Sequence, residues 1–222
     1  MKRMFAIVML IVSAIPVGSR AQEKPAFWDD VQAIKRYDAM YQPPANPILF
    51  VGSSSIRKWN DLERTFASYV VMNRGIGGAV TNDITGYLED IVFAYHPRQI
   101  VIYVGENDLT QKETTADSVL ERTKRLLTAI RARMPEVPIL YISMKPSPSR
   151  DQFREKCKQA NALIRDYLKG QQRMEYIDVF SKMLDKDGNS RPELFVQDML
   201  HMNAKGYAIW RAAVEPRLAV LK

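Results

Sequence analysis

Five short apolar runs recur along the 222 residues, and helical spacing fills the gaps between them. This alternation predicts an α/β fold, one layered domain with a mostly parallel sheet. The clearest run, Ile100-Val101-Ile102-Tyr103-Val104, is nearly all β-branched or aromatic, as a strand buried on both faces should be. No repeat or low-complexity linker interrupts the pattern.

The chain opens with a basic Met1-Lys2-Arg3, an apolar run from Met4 to Val12, and small residues at Ser19 and Ala21. That order reads as a secretory signal peptide over residues 1–21, with a secreted or periplasmic product. The competing reading, a membrane anchor, is disfavoured because Pro16 interrupts a run already short for a span. Residues 22–222 are then expected to form one domain, with 22–46 as an N-terminal helical extension.

Within that extension Phe27, Trp28, Val31, Ile34, Tyr37, Met40 and Tyr41 fall on one helical face, and Pro43-Pro44 ends the helix. Its aromatics are expected to pack, with the helix lying across the domain or forming a homodimer contact. Strand one is Ile48 to Val51, followed by Gly52, three serines, and a helix from about Ser55 to Phe66. Val70 to Met72 is a second strand leading into Asn73-Arg74-Gly75-Ile76-Gly77-Gly78, where close backbone packing is expected. Thr81 or Asn82 is expected to cap a helix running to about Tyr95. After strand three come Gly105-Glu106-Asn107-Asp108, a capping box over Thr114 to Asp117, and a helix to Met134. Val137 to Ser143 is strand four, Lys145 to Ser149 a loop, and about Asp151 to Lys169 a helix. Met174 to Phe180 is strand five, and Asn203 caps the last helix.

The formal charge is +7, but Lys2, Arg3 and Arg20 sit in the leader, which leaves +4 on 201 residues. There is no block of like charge to suggest nucleic acid. Cys157 is the only cysteine, so no internal disulfide can form, and in mid-helix a structural role is expected. With His96 and His201 the only histidines, a zinc site of imidazole and thiolate is not expected, and no metal or cofactor is anticipated.

In a parallel sheet the segments that follow the strands share one edge. Ser54 follows strand one, Gly78 strand two, Asn107 strand three, and Asp198 and His201 precede the last helix. Each has a plain reading, as a turn, a cap or a surface pair. Together they supply what acyl transfer needs: a hydroxyl nucleophile, an imidazole base, a carboxylate to orient it, and N–H donors for a developing oxyanion. His96, before Pro97, reads as structural.

These blocks resemble the SGNH hydrolases, also called GDSL esterases and lipases. Gly52-Ser53-Ser54-Ser55 resembles the nucleophile block, Asn73 to Gly78 the glycine block, Gly105 to Asp108 the G-x-N-D block, and Asp198-Met199-Leu200-His201 the D-x-x-H block. The Asn-x-Gly-Ile-Gly-Gly run is most similar to the platelet-activating-factor acetylhydrolase branch. The resemblance implies a flavodoxin-like three-layer α/β/α sandwich with a five-stranded parallel sheet. It implies Ser54 as nucleophile, His201 as base, Asp198 as its orienting partner, and an oxyanion hole from the Ser54 and Gly78 N–H groups and the Asn107 side chain. Ser53 stands where the family has aspartate. The expected activity is hydrolysis of short, chiefly acetyl, esters of a carbohydrate or lipid. The alternatives are a lysophospholipase or thioesterase, and a catalytically silent carbohydrate-binding module. Partners are expected to be small-molecule or glycan acyl esters, without nucleic acid or a stable membrane anchor.

Overall fold

The computed structural model describes residues 24–220, and the leader assigned to residues 1–21 lies outside them. The strands are β1 (Ile48–Gly52), β2 (Val71–Gly75), β3 (Gln99–Tyr103), β4 (Ile139–Ile142) and β5 (Met174–Ile177). They form one sheet in the order β2-β1-β3-β4-β5, and every pairing is parallel. The helices are α1 (Trp28–Met40), α2 (Ser54–Arg57), α3 (Leu62–Thr65), α4 (Thr81–Gly86), α5 (Leu88–Ile91), α6 (Ala116–Arg133), α7 (Arg154–Leu168) and α8 (Ala204–Val214). The three-layer sandwich with a five-stranded parallel sheet is therefore as expected.

Side chains alternate across a strand, and here that alternation separates two cores. Leu49, Val51, Ile100, Ile102, Ile139 and Tyr141 face a core shared with Val31, Ile84, α6 and α7. Ile48, Phe50, Val101, Tyr103, Leu140 and Ile142 face the other, with Trp59, Phe66 and Trp210. The chain leaves β1 for β2 on one side and then crosses to β3 on the other. The edge between the β1 and β3 carboxyl ends is thus the switch point at which open sheets of this kind bind ligands.

The helices depart from expectation where a side chain is needed elsewhere. The helix expected over 55–66 is two short ones, because between them Trp59 turns into the core and packs on Phe50, Phe66, Tyr207 and Trp210. The helix expected to reach Tyr95 breaks after Gly86, a poor helix former, and continues as α5 and a 3₁₀ turn. Neither Thr81 nor Asn82 caps it; Asp83 instead accepts from the Val80 N–H at 2.9 Å. The capping pair before α6 is Thr115 with Ser118, one residue later than expected. α7 begins at Arg154, preceded by a 3₁₀ stretch over Pro148–Phe153 that is kinked at Arg150. β5 stops at Ile177 because the Val179 and Phe180 N–H groups donate to the Ser143 hydroxyl, at 2.9 and 3.0 Å, rather than to a ladder carbonyl. Asn203 caps α8, accepting from Lys205 and Gly206 N–H.

α1 meets the expectation that its aromatics pack only at its start, where Phe27 lies against the core beside Val31 and Ile34. Val31 is its buried residue, whereas Tyr37 is 57% and Tyr41 62% exposed. The helix is docked chiefly by polar contacts: Asp30 with Arg57, Lys35 with Asp90, and Asp38 with both Arg74 and the Tyr95 hydroxyl.

Candidate active site

β1 ends in a backbone that admits no side chain. A Cβ on Gly52 would fall 1.8 Å from the Tyr103 carbonyl oxygen of β3, so only glycine lets the two strands run this close. Ser53 follows, buried, with its N–H donating to that same carbonyl at 3.0 Å. Ser54 opens α2 and is half-buried at the sheet edge, whereas Ser55 is buried. α2 is fixed from two sides. The Tyr207 hydroxyl donates to the Ser55 carbonyl at 2.9 Å, and Asn73 Nδ2 to the Ile56 carbonyl at 2.7 Å.

The histidine arrives on a tight turn before α8. Asp198 Oδ1 accepts from the Leu200 and His201 N–H groups at 2.9 and 2.8 Å, which closes the turn. Its Oδ2 lies 2.6 Å from His201 Nδ1, and His201 Nε2 lies 3.0 Å from Ser54 Oγ. An ionised Asp198 only accepts, so Nδ1 carries the ring proton and Nε2 is left free to take one from Ser54. Burial alone would raise the Asp198 carboxyl, but the bonds from the His201 ring and from the His201 and Leu200 main chain hold it well below the usual carboxylate range. Lys58 Nζ, 3.2 Å from Nδ1, sets a positive charge at the rim.

The glycine block passes beside this pair. Gly75 has room for nothing more, since a Cβ there would lie 2.2 Å from the Arg57 nitrogen. Asn73 Oδ1 accepts from the Gly75 N–H at 3.0 Å and so ties this loop to α2. Among the described residues, the Ser54 and Gly78 N–H groups donate to no acceptor. Asn107 stands across from them, with Nδ2 donating to the Ala79 carbonyl at 2.9 Å. Asp108 is fully buried and holds α4 in place, accepting from the Thr81 N–H and hydroxyl and from Arg122. Ser54, Asp198 and His201 are thus in hydrogen-bonding sequence, with Asn107 against the glycine loop. His96 is not part of this group; it ends a 3₁₀ turn in a left-handed conformation before β3.

Several neighbours carry no mark in the sequence. The Phe27 ring flanks Gly78, where a Cβ would lie 3.7 Å from its edge. Lys145, expected in a plain loop, is fully buried; it donates to Glu106 Oε2 at 2.8 Å and to Ser147 Oγ at 2.6 Å. Ser147 and Tyr103 hydroxyls donate to the same carboxylate. Burial alone would raise the Glu106 carboxyl, but Lys145 and Arg150 beside it hold it below the ordinary range. Glu106 sits inside the G-x-N-D block at its variable position, so its spacing was visible and its partners were not. Cys157 is buried on α7 under this loop, and burial pushes its thiol up. Among the described residues, no three His, Cys, Asp or Glu side chains cluster as metal ligands would.

Residues 49–209 match the model of the GDSL-like lipase/acylhydrolase family. The chain is similar to rat platelet-activating factor acetylhydrolase IB subunit alpha1, 25% identical over 203 residues that cover 86% of this chain and 85% of the relative. Among solved structures it is similar to a GDSL-like lipase from Bacteroides thetaiotaomicron, with a TM-score of 0.71 at 17% identity over 85% of this chain and 97% of the other. It also resembles an acetyl-xylooligosaccharide esterase from Geobacillus stearmophilus, with a TM-score of 0.63 at 14% identity over 81% and 97% of the two chains.

Proposed function

The chain belongs to the GDSL-like lipase/acylhydrolase family and is a carboxylic ester hydrolase; from that premise we propose that it removes short acyl groups, chiefly acetyl, from a carbohydrate or lipid alcohol, with Ser54 as its nucleophile. The observation that carries the reading is the Ser54 Oγ to His201 Nε2 distance of 3.0 Å, with Asp198 2.6 Å behind the ring.

In the proposed sequence Ser54 Oγ bonds to the ester carbonyl carbon as its proton passes to His201 Nε2. The carbonyl electrons move onto oxygen, where the Ser54 and Gly78 N–H groups and Asn107 Nδ2 receive the charge. Collapse breaks the bond to the alcohol oxygen, which takes the proton from Nε2. Water then repeats the cycle on the acyl-serine and releases the acid. Asp198 stays ionised and steadies the imidazolium without taking its proton.

The acetyl preference is supported by the names of similar proteins, an acetylhydrolase and an acetyl-xylooligosaccharide esterase. The sequence also holds no long apolar segment suited to a lid over a long chain. A p-nitrophenyl ester series is expected to give the highest kcat/KM at acetate or butyrate. A maximum at decanoate would overturn the short-acyl reading in favour of a lysophospholipase-like one.

A further inference from the structure

The loop after β4, Lys145 to Arg150, touches both halves of the site. Ser149 donates its N–H and its hydroxyl to the Met199 carbonyl, each at 3.1 Å, inside the Asp198–His201 turn. One residue on, Arg150 Nη2 donates to Asn107 Oδ1 at 2.9 Å. The Asn107 amide is therefore gripped at both ends, since its Nδ2 donates to the Ala79 carbonyl. Turning the amide over would set its NH₂ against the guanidinium, donor facing donor, and its oxygen against the Ala79 carbonyl, acceptor facing acceptor. Ala79 uses one of the two Nδ2 protons and the other remains available.

We propose that Arg150 is a positioning residue for ester hydrolysis, one that locks the Asn107 amide with its spare N–H toward the oxyanion. This rests on the reading of Asn107 as an oxyanion donor. Arg150 is itself held from the core. Its Nη1 lies 3.5 Å from Glu106 Oε1, and that buried carboxylate is fixed by Lys145, Ser147 and Tyr103. Burying a Lys–Glu pair stabilises a fold little compared with apolar side chains of the same volume. What it does supply is a rigid anchor for a charge that must sit at one place on the rim. The guanidinium on Oδ1 also polarises the amide, which strengthens its N–H as a donor. The kink at Arg150, which delays the start of α7, is the backbone form of the same arrangement.

The test is a double-mutant cycle on kcat and KM for p-nitrophenyl acetate, using Arg150→Met, Arg150→Lys and Asn107→Ala, with urea midpoints measured alongside. Asn107→Ala is expected to lower kcat by about 10²–10³, the usual effect of losing one oxyanion donor. Arg150→Met should lower kcat by roughly 10- to 100-fold, as removing a supporting partner does, with KM nearly unchanged. Arg150→Lys, which keeps a charge and a donor, should recover part of the loss. In the Asn107→Ala background the Arg150 changes should cost less than about two-fold, because the group they position is gone. An equal loss in both backgrounds, or a fully active Arg150→Met beside an inactive Asn107→Ala, would overturn the proposal and leave the oxyanion reading intact. A fully active Asn107→Ala would overturn the oxyanion reading itself. Should Arg150→Met fail to fold, Arg150→Lys carries the same cycle.

Discussion

Three adjacent hydroxyls follow β1, and their surroundings separate them. Ser54 Oγ faces His201, whereas Ser53 and Ser55 are buried. A fluorophosphonate probe is therefore expected to form its adduct on Ser54, and Ser54→Ala should lower kcat by on the order of 10⁶. Ser53→Ala and Ser55→Ala should cost far less, because it is the Ser54 hydroxyl that meets His201. His201→Ala should lose about 10²–10⁴-fold as a missing general base, with His96→Ala near wild type. Labelling of Ser53 or Ser55, or a silent His201→Ala beside a damaged His96→Ala, would reverse the assignment. The strand-end residues could be singled out in the sequence because each block couples a residue type suited to the chemistry with a place at a strand end. Arg150, Lys145 and Phe27 could not, because their roles come from contacts across 39 to 51 positions of chain, and no local pattern encodes such a meeting.

Among the elements, the loop after β4 and the end of β3 are joined by the Glu106–Lys145 pair, and this junction is sensitive to acid. Glu106 is held below its ordinary value of 4.5 in the fold. At lower pH the unfolded chain takes up a proton that the folded carboxylate resists. The pair's contribution is thus present above that value and is lost as pH falls through the lower, folded one. Glu106→Gln should cost about 3 kcal/mol at pH 7 by leaving Lys145 buried without its counter-charge, and the cost should shrink toward pH 3. Urea midpoints of both proteins from pH 3 to 7 check this; parallel curves would show that Glu106 does not titrate with folding. β1, β3 and β4 were legible because strands buried on both faces are largely apolar. α1 was legible as a helix, and the first part of its apolar face, Phe27, Val31 and Ile34, does meet the core, whereas Tyr37, Met40 and Tyr41 stay exposed. Periodicity located its apolar stripe but not the ion pairs of Asp30, Lys35 and Asp38 that also hold it to the domain.

For the molecule as a whole, the alternation of strand and helix carried the architecture, and the order β2-β1-β3-β4-β5 is that of the flavodoxin-like fold the four blocks implied. Among the described residues, no helix is long and apolar enough to cross a membrane. We propose residues 1–21 as an export leader, on their basic, apolar and small-residue segments. Protein recovered from outside the cytoplasm should begin at Gln22 by intact mass, and an uncut Met1 there would contradict cleavage.

The lone thiol of Cys157 has a practical consequence. It lies on α7 against the Met144 and Lys145 carbonyls, directly beneath the loop that reaches both Asn107 and the histidine turn. With no second cysteine to pair with and only 4% of its surface exposed, it is expected to resist alkylating reagents while the fold is closed. Its rate of alkylation is then a clock for how often that corner of the molecule opens. The protein carries its own single-site opening reporter, needing neither an engineered cysteine nor an attached dye.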